Sequence, residues 1–502
     1  MVQCHFKWTN IPRRYKLVWA ELFVTPNLHG ILIPNYLKLA AYKVFIVVTN
    51  KTNKMYKNVS NKRIVSIIVL FISCFFAFYA KALAVSSSNK KACVKTDIKT
   101  VKKPTPSVRE TKIVPSSANG DTTWKPVRRL WGLAFGDLYY NAHADAGNRG
   151  AETNYNGVPT YRNAFQFRRI YLGYDYDIDK RFTVELLLSS EPSANTPVSG
   201  ITTISNSDNL SDNKMAFFIK LIDLRWKGVW KGTDVVVGES LTPLTVMLTE
   251  KIWGYRSVEK TIADFHRSNL YDLGIALQGN FDPQHKNFGY NLMIGNNSQA
   301  SLLSATNANT GFYKAFYGDV YAKFLNQSLV FDFYSDYVKT AAATAAIGAQ
   351  SRNMLKAFAA YTVPKITFGV EAYTQTISNG VTNATSAASE NATVEAISIY
   401  THGALYKDKV GFFARYDSYN PDNDFNATTI YTSNTTLPAY SPFTKEHFIT
   451  AGLDFTPAKN IHFMPNIWFI QYQDQRDPSL ASYIPDSHVL VYRATFYFIF
   501  GK

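Results

Sequence analysis

The residues best equipped for chemistry lie in one charged segment, 242–269, which reads TPLTVMLTEKIWGYRSVEKTIADFHRSN. Four of its side chains are basic and three are acidic: Lys251, Arg256, Lys260 and Arg267, and Glu250, Glu259 and Asp264. Charges of both signs held close together attract or repel ions and polar solutes. The alternative is a solvated surface loop whose charges pair locally. Which of these roles segment 242–269 has depends on the strands that position it.

No catalytic motif accompanies this segment. The chain has no His-Glu-x-x-His, no Gly-x-Ser-x-Gly, no phosphate-binding glycine loop and no Cys/His cluster at metal-ligand spacing. Two local pairs, His143 with Asp145 and Asp264 with His266, are typical of incidental neighbours in loops. We therefore expect no enzymatic activity, no catalytic residue, no cofactor and no metal.

The charge of the chain is unevenly distributed. Its 502 residues include 53 Lys plus Arg and 37 Asp plus Glu, a net charge of +16. Residues 1–130 hold 23 basic and 4 acidic side chains, whereas residues 131–502 hold 30 and 33. A nucleic-acid-binding protein carries its positive charge as a patch on the folded body. We therefore expect no nucleic-acid partner.

Residues 55–84 have the three parts of a secretory signal: a basic stretch, an apolar run over 64–80 and a small-residue site ending at Ala84. We expect cleavage after Ala84. The alternative is a transmembrane anchor, because the apolar run is close to the shortest that crosses a bilayer. We interpret residues 1–54 as an over-called N-terminal extension, which leaves open whether translation starts at Met1 or Met55.

Residues 85–129 follow the signal and are rich in Lys, Ser, Thr and Pro, with few large apolar side chains. Such a composition buries too little apolar surface to fold. We expect a flexible periplasmic tether between the signal and a folded body at 130–502.

The body alternates with a period of two residues. In 271–278 the side chains at odd positions are large and apolar while those at even positions are small or polar, and 490–500 shows the same alternation. This pattern predicts strands with one apolar face. Sixteen strands are predicted, near 130–142, 164–178, 181–190, 215–227, 233–241, 270–281, 287–297, 313–325, 328–339, 353–362, 365–376, 394–406, 409–419, 446–456, 460–473 and 488–500.

The connections between these strands alternate between tight turns, such as Val363-Pro364, and long loops, such as 143–163 and 377–393. Short turns at one end and long loops at the other are typical of an outer-membrane barrel, and 34 Phe and 32 Tyr supply aromatic girdles. The predicted fold is all-β: a closed antiparallel transmembrane β-barrel of about sixteen strands, with short periplasmic turns and long extracellular loops. A large soluble sandwich or propeller is the alternative.

Alternation also assigns charged side chains to the interior of such a barrel. A charge on the lipid-facing side costs about 2–4 kcal/mol near the midplane. We therefore expect four strand charges to face the lumen: Arg225, Arg415, Asp417 and Arg493. The adjacent Arg168 and Arg169 point to opposite faces of a regular strand, so we expect one of them to lie at an interface or to snorkel.

Five stretches resemble outer-membrane porins of the phosphate-selective porin family, in the form common among Bacteroidetes-type bacteria. They are NAFQFRRIYLGYDYDI (163–178), TEKIWGYRSVEKTIADF (249–265), FFARYDSYNPDND (412–424), FITAGLDFTPAKNIHFMPNIW (448–468) and VLVYRATFYFIFGK (489–502). The resemblance implies a sixteen-stranded trimeric channel for small solutes, whose third long loop folds into the barrel. The chain departs from the family at its end, where Gly501-Lys502 follows the last aromatic residue.

We therefore predict a porin in the outer membrane of a Gram-negative bacterium, in contact with outer-membrane lipid. It would be a passive channel for small hydrophilic solutes and ions, constricted by 242–269 and assembled as a homotrimer. The alternative is a surface adhesin or receptor that acts through its long loops. The sequence leaves open the solute, the ion preference and the pore radius.

Overall fold

The computed structural model describes residues 124–191, 217–244, 248–266, 270–297, 313–340, 347–429, 431–434 and 440–501. The predicted N-terminal extension, the signal, most of the tether and Arg267 lie outside these residues. Within the part described, no helix is long and apolar enough to cross a membrane.

Seventeen antiparallel strands in the described part of the chain form a single sheet. In chain order they are β1 Arg128–His143, β2 Asn163–Asp177, β3 Phe182–Ser190, β4 Phe218–Trp230, β5 Thr233–Leu241, β6 Tyr271–Asn280, β7 Phe288–Gly295, β8 Ala315–Phe324, β9 Leu329–Thr340, β10 Gln350–Val363, β11 Ile366–Asn383, β12 Ser389–Tyr406, β13 Val410–Asn420, β14 Tyr431–Ser433, β15 Thr444–Ala458, β16 Ile461–Asp474 and β17 Ser487–Phe500.

The sheet closes on itself because the first strand pairs with the last. β1 bonds to β2 on one side and to β17 on the other, with Leu138 opposite Ala494. The three-residue β14 pairs only with the end of β11, beyond the barrel wall. The other sixteen strands form the closed antiparallel barrel, which confirms the predicted fold class.

Along the barrel strands, exposed apolar side chains alternate with buried charged ones. On β4, Ile222, Leu224 and Trp226 are exposed, whereas the intervening Asp223 is 6% exposed. The same alternation recurs on β17, where Tyr492 is exposed and Arg493 is buried. A protein that folds in water instead buries its apolar side chains and exposes its charged ones.

The structure corrects one predicted loop. Residues 377–393 read as a Ser/Thr/Asn/Ala-rich loop, but β11 and β12 continue through them, and only the turn 384–388 connects the two strands. Inward-facing Ile377, Val381, Ala392 and Val394 are buried in one apolar cluster. These side chains give the extension a packed face, so the Ser- and Thr-rich sequence stays in strand conformation.

The structure also corrects the prediction for Arg168 and Arg169. The pairing of β2 with β1 shifts there: Phe135 lies opposite Arg169, but Gly136 lies opposite Phe167, so Arg168 is an extra residue. Such a β-bulge breaks the two-residue alternation. Neither arginine snorkels to an interface: Arg168 reaches Asp137, and Arg169 reaches Glu191.

Candidate functional site

The long connection between β5 and β6 lies against the inner wall of the barrel. Its described part, 248–266, is called here the inner segment. It contains two short helices, α1 Thr249–Trp253 and α2 Ile262–Phe265. Gly254 ends α1 with a left-handed φ of 72°, a conformation that glycine adopts without strain. The sharp turn after α1 directs the rest of the segment back along the wall.

Six strands hold the inner segment through polar contacts. Lys356 Nζ donates to Thr249 Oγ1 (3.1 Å), and a ring nitrogen of His402 lies 2.8 Å from the Ile252 carbonyl oxygen. Trp468 Nε1 donates to Glu259 Oε2 (3.1 Å). The remaining contacts are Tyr255 with Asp454, Arg168 with the Ser257 and Val258 carbonyls, and Arg415 with the Lys260 carbonyl. These side chains lie opposite the exposed apolar faces of their strands, so the segment lies inside the barrel.

Trp253 anchors the inner segment by packing. It is completely buried, with its ring centroid 5.0 Å from that of Tyr400 and 6.4 Å from that of Phe413. Its indole Nε1 donates to the Glu259 carbonyl at 2.9 Å. The same side chain therefore joins α1 to the second half of the segment and packs both onto β12 and β13.

Within the segment, Arg256 pairs with two carboxylates. Arg256 Nη1 lies 3.1 Å from Glu250 Oε2 and 2.6 Å from Asp264 Oδ2. Burial alone would raise the pKa of Asp264, but the charges of Arg256, Lys260 and Arg169 outweigh it and hold that pKa below its ordinary value. Glu250 also accepts hydrogen bonds from the backbone and side chain of Thr261. This network ties α1 to α2.

The other predicted residues of the segment differ in their surroundings. Glu259 is buried, and burial would raise its pKa, but Lys260, Arg168 and Arg493 together lower it. The Lys260 ammonium lies 5.8 Å from the centre of the Phe265 ring. Lys251 is exposed and makes no ion pair with any described residue. It is therefore the most exposed of the described charges of the inner segment.

The four strand charges predicted to face the lumen have different partners. Arg225 pairs with Asp234 at 3.2 Å and is about one-third exposed. Arg415 and Asp417 are buried and paired with each other, with Arg415 Nε 2.9 Å from Asp417 Oδ1. Arg493 is buried and donates to Asn466 Oδ1 at 2.8 Å.

Two further basic side chains contact the segment and were not among the predicted site residues. Lys356 is buried between Asp332 (3.4 Å) and Glu371 (3.7 Å) and also reaches Thr249. Arg168 pairs with Asp137, with Nε 2.6 Å from Oδ2. Lys356 follows the exposed Leu355, so strand alternation could have predicted that Lys356 faces inward. The orientation of Arg168 could not be predicted in this way, because the β-bulge breaks the alternation.

A small cavity of about 60 Å³ lies where the inner segment meets β2. Four basic and three acidic side chains line it: Arg168, Arg169, Arg256 and Lys260, and Glu152, Glu191 and Glu259. The fold and the site together define a barrel with an apolar exterior, a charged interior and an inward-folded segment carrying both signs of charge.

Comparison with protein-family models finds no match for this chain, and comparison with curated proteins finds none either.

Solved structures similar to the chain include outer-membrane porins and channels. An anion-selective porin from Comamonas acidovorans is 12% identical, with a TM-score of 0.46, covering 75% of this chain and 100% of its own. Salmonella typhi OmpF in complex with daunomycin is 12% identical, with a TM-score of 0.46, covering 74% and 97%. The outer-membrane channel DcaP of Acinetobacter baumannii is 7% identical, with a TM-score of 0.47, covering 76% and 100%.

Proposed function

We propose that this chain is an outer-membrane porin of a Gram-negative bacterium, a passive diffusion channel for small hydrophilic solutes and ions. The observation that carries the proposal is the inversion of polarity across the barrel wall. Large apolar side chains such as Ile399 and Phe368 are exposed on the outside, whereas charged ones such as Lys356 and Glu371 are buried inside. Lipid favours that exterior, and water and ions favour that interior.

The inner segment is the proposed constriction, through Glu250, Lys251, Arg256, Glu259, Lys260 and Asp264, together with Arg267 outside the described residues. Its polar contacts with six strands support this role, because they hold α1 and the stretch between the two helices against the wall and so narrow the lumen at a fixed place. Charged groups at a narrow point sort solutes by sign and size.

The proposed channel has weak ion preference. Arg256 is balanced by Glu250 and Asp264, and Arg415 by Asp417. Residues 131–502 have 30 basic and 33 acidic side chains, which does not favour a dedicated anion channel. The resemblance to phosphate-selective porins therefore extends, in this proposal, to architecture and not to selectivity.

The N-terminal part and the assembly belong to the same proposal. Residues 55–84 would direct export, 85–129 would form a periplasmic tether, and three chains would associate. N-terminal sequencing of the exported protein should begin at Val85. An unboiled gel should show a slow band that boiling converts to the monomer, and a single heat-insensitive monomer band would contradict the trimer.

Liposome swelling tests the transport function. Liposomes containing the protein should swell in isotonic solutions of small sugars, at rates that fall steeply as the sugar becomes larger. Protein heat-denatured before reconstitution is the control. Absence of swelling with a protein shown to be folded would contradict the proposal.

The extended hairpin of β11 and β12 favours a second candidate, a surface receptor or adhesin. With β14 added to its edge, this hairpin continues past the strand pairing of β10 and offers a rigid surface beyond the barrel. Replacing residues 379–391 by a short turn would leave solute flux unchanged in either case. Loss of cell attachment in that variant would favour the second candidate.

A further inference from the structure

Three side chains from separate parts of the chain converge beside the inner segment. They are Glu152 from the connection after β1, His266 immediately after α2, and Glu446 on β15. One donor atom from each lies within 4.8 Å of the donor atoms of the other two. All three line a cavity of about 290 Å³, separate from the smaller one beside β2.

The surroundings hold these side chains in place. The His266 ring stacks on Tyr419, with 3.5 Å between centroids and 7° between planes. Glu152 is 6% exposed and Glu446 is 7% exposed. The imidazole is therefore held in a fixed orientation, and both carboxylates lie away from bulk water.

The Glu446 carboxylate has one oxygen that no donor satisfies. Within the described residues, Glu446 Oε2 is buried and has no hydrogen-bond partner. The nearby Arg149 is paired with Asp145, with Nη2 2.8 Å from Oδ1. A buried carboxylate oxygen without a donor is costly, and either a proton shared with Glu152 or a bound cation compensates it.

The donor set indicates the kind of cation. Ca²⁺ and Mg²⁺ prefer shells made of oxygen, whereas one imidazole nitrogen with two carboxylates suits divalent first-row transition metals. Zn²⁺ binds such donors at about 2.0–2.2 Å in tetrahedral geometry, which places two ligand atoms about 3.3–3.6 Å apart. The three donor atoms lie within 4.8 Å of one another, so the side chains would have to close by about 1 Å to bind one ion together.

We propose that Glu152, His266 and Glu446 form a binding site for a divalent transition-metal ion, with Zn²⁺ as its representative. The bound ion would join the connection after β1 and the end of the inner segment to the β15 wall. The site does not depend on ion flow through the barrel, so its test is separate from the test of transport.

Isothermal titration of Zn²⁺ into the detergent-solubilised, untagged full-length protein tests the site. We expect saturable binding of one ion per chain. The His266→Asn and Glu446→Gln substitutions should each weaken it at least tenfold. Matched controls, His285→Asn in the β6–β7 turn and Glu390→Gln on β12, should leave binding unchanged.

A second measurement uses the wild-type protein and therefore stays informative if the variants fail to fold. Co²⁺ bound to the wild-type protein should give a visible spectrum typical of nitrogen and oxygen ligands, and Zn²⁺ should displace it. Absence of saturable Zn²⁺ binding by the wild-type protein would overturn the proposal. So would equal Zn²⁺ affinity in a folded His266→Asn variant, or Ca²⁺ binding as tight as that of Zn²⁺.

Discussion

Arg256 links two carboxylates that are distant from each other in the sequence. Glu250 precedes it by six residues and Asp264 follows it by eight, yet both carboxylates reach its Nη1. The pairs are mostly buried, so their net attraction adds little to stability. Removing Arg256 is nevertheless costly, because it leaves a buried carboxylate without its cation.

The Arg256→Ala substitution should therefore be strongly destabilising. It leaves two buried carboxylates without their cation, and we expect the free energy of unfolding to fall by about 3–5 kcal/mol. Urea titration of the protein in lipid or detergent measures it. Arg181→Ala, which breaks the exposed pair with Asp179, is the control and should change the free energy of unfolding little. Similar losses for the two variants would contradict the assigned network.

The lowered pKa of Asp264 predicts that the stability of the protein depends on pH. Its pKa is lower in the folded state than the ordinary 3.8, so its stabilising effect is fully present above that value and is lost as the pH falls through the folded pKa. The Asp264→Asn variant should be less stable than the wild type at pH 6, and the difference should shrink as the pH approaches 2. Urea midpoints at several pH values measure it. A difference that does not change with pH would count against the pairing.

At this scale alternation along strands predicted which faces carry charge, but it could not locate a bulge. The extra residue at Arg168 cannot be recognised from the sequence, because the shift in register appears only in the pairing of β2 with β1. The convergence of Glu152, His266 and Glu446 was hidden for a related reason, since it joins residues up to about 300 positions apart in sequence.

At the scale of the element, the charged composition of 242–269 distinguished this segment from the other long connections. The sequence could not supply its partners, because these lie on strands from β2 to β16. The strands themselves were predictable wherever one face is apolar. The β11–β12 extension was missed because its buried face is made of small and β-branched side chains in a Ser- and Thr-rich stretch.

Lys251 provides the test of the inner segment as a constriction. In a protein whose three native cysteines are replaced by serine, Lys251→Cys should react with small charged thiosulfonates added from the aqueous side. Attachment of the bulky group should lower single-channel conductance by a factor of two or more. Thr385→Cys, in the turn between β11 and β12, is the control and should react without changing conductance. Unchanged conductance after complete labelling of the Lys251→Cys variant would contradict the constriction.

At the scale of the whole molecule, the apolar exterior predicts that lipid and not water surrounds the barrel. The Ile399→Arg substitution places a charge on the outer face near the middle of the wall, where Ile399 is 49% exposed. In lipid this should cost about 2–4 kcal/mol, whereas a water-facing position would tolerate it. Thr385→Arg in the turn is the control. Equal unfolding free energies of the two variants in liposomes would argue against an exterior in contact with lipid.

Single-channel recording of the refolded protein, residues 85–502, in a planar bilayer with a salt gradient shows directly whether the barrel conducts ions. We expect stepwise, ohmic openings and a small reversal potential, because both signs of charge line the inner segment in near balance. Silence from a demonstrably folded barrel would contradict the channel. A reversal potential that corresponds to more than about tenfold selectivity for either sign would contradict the balanced constriction.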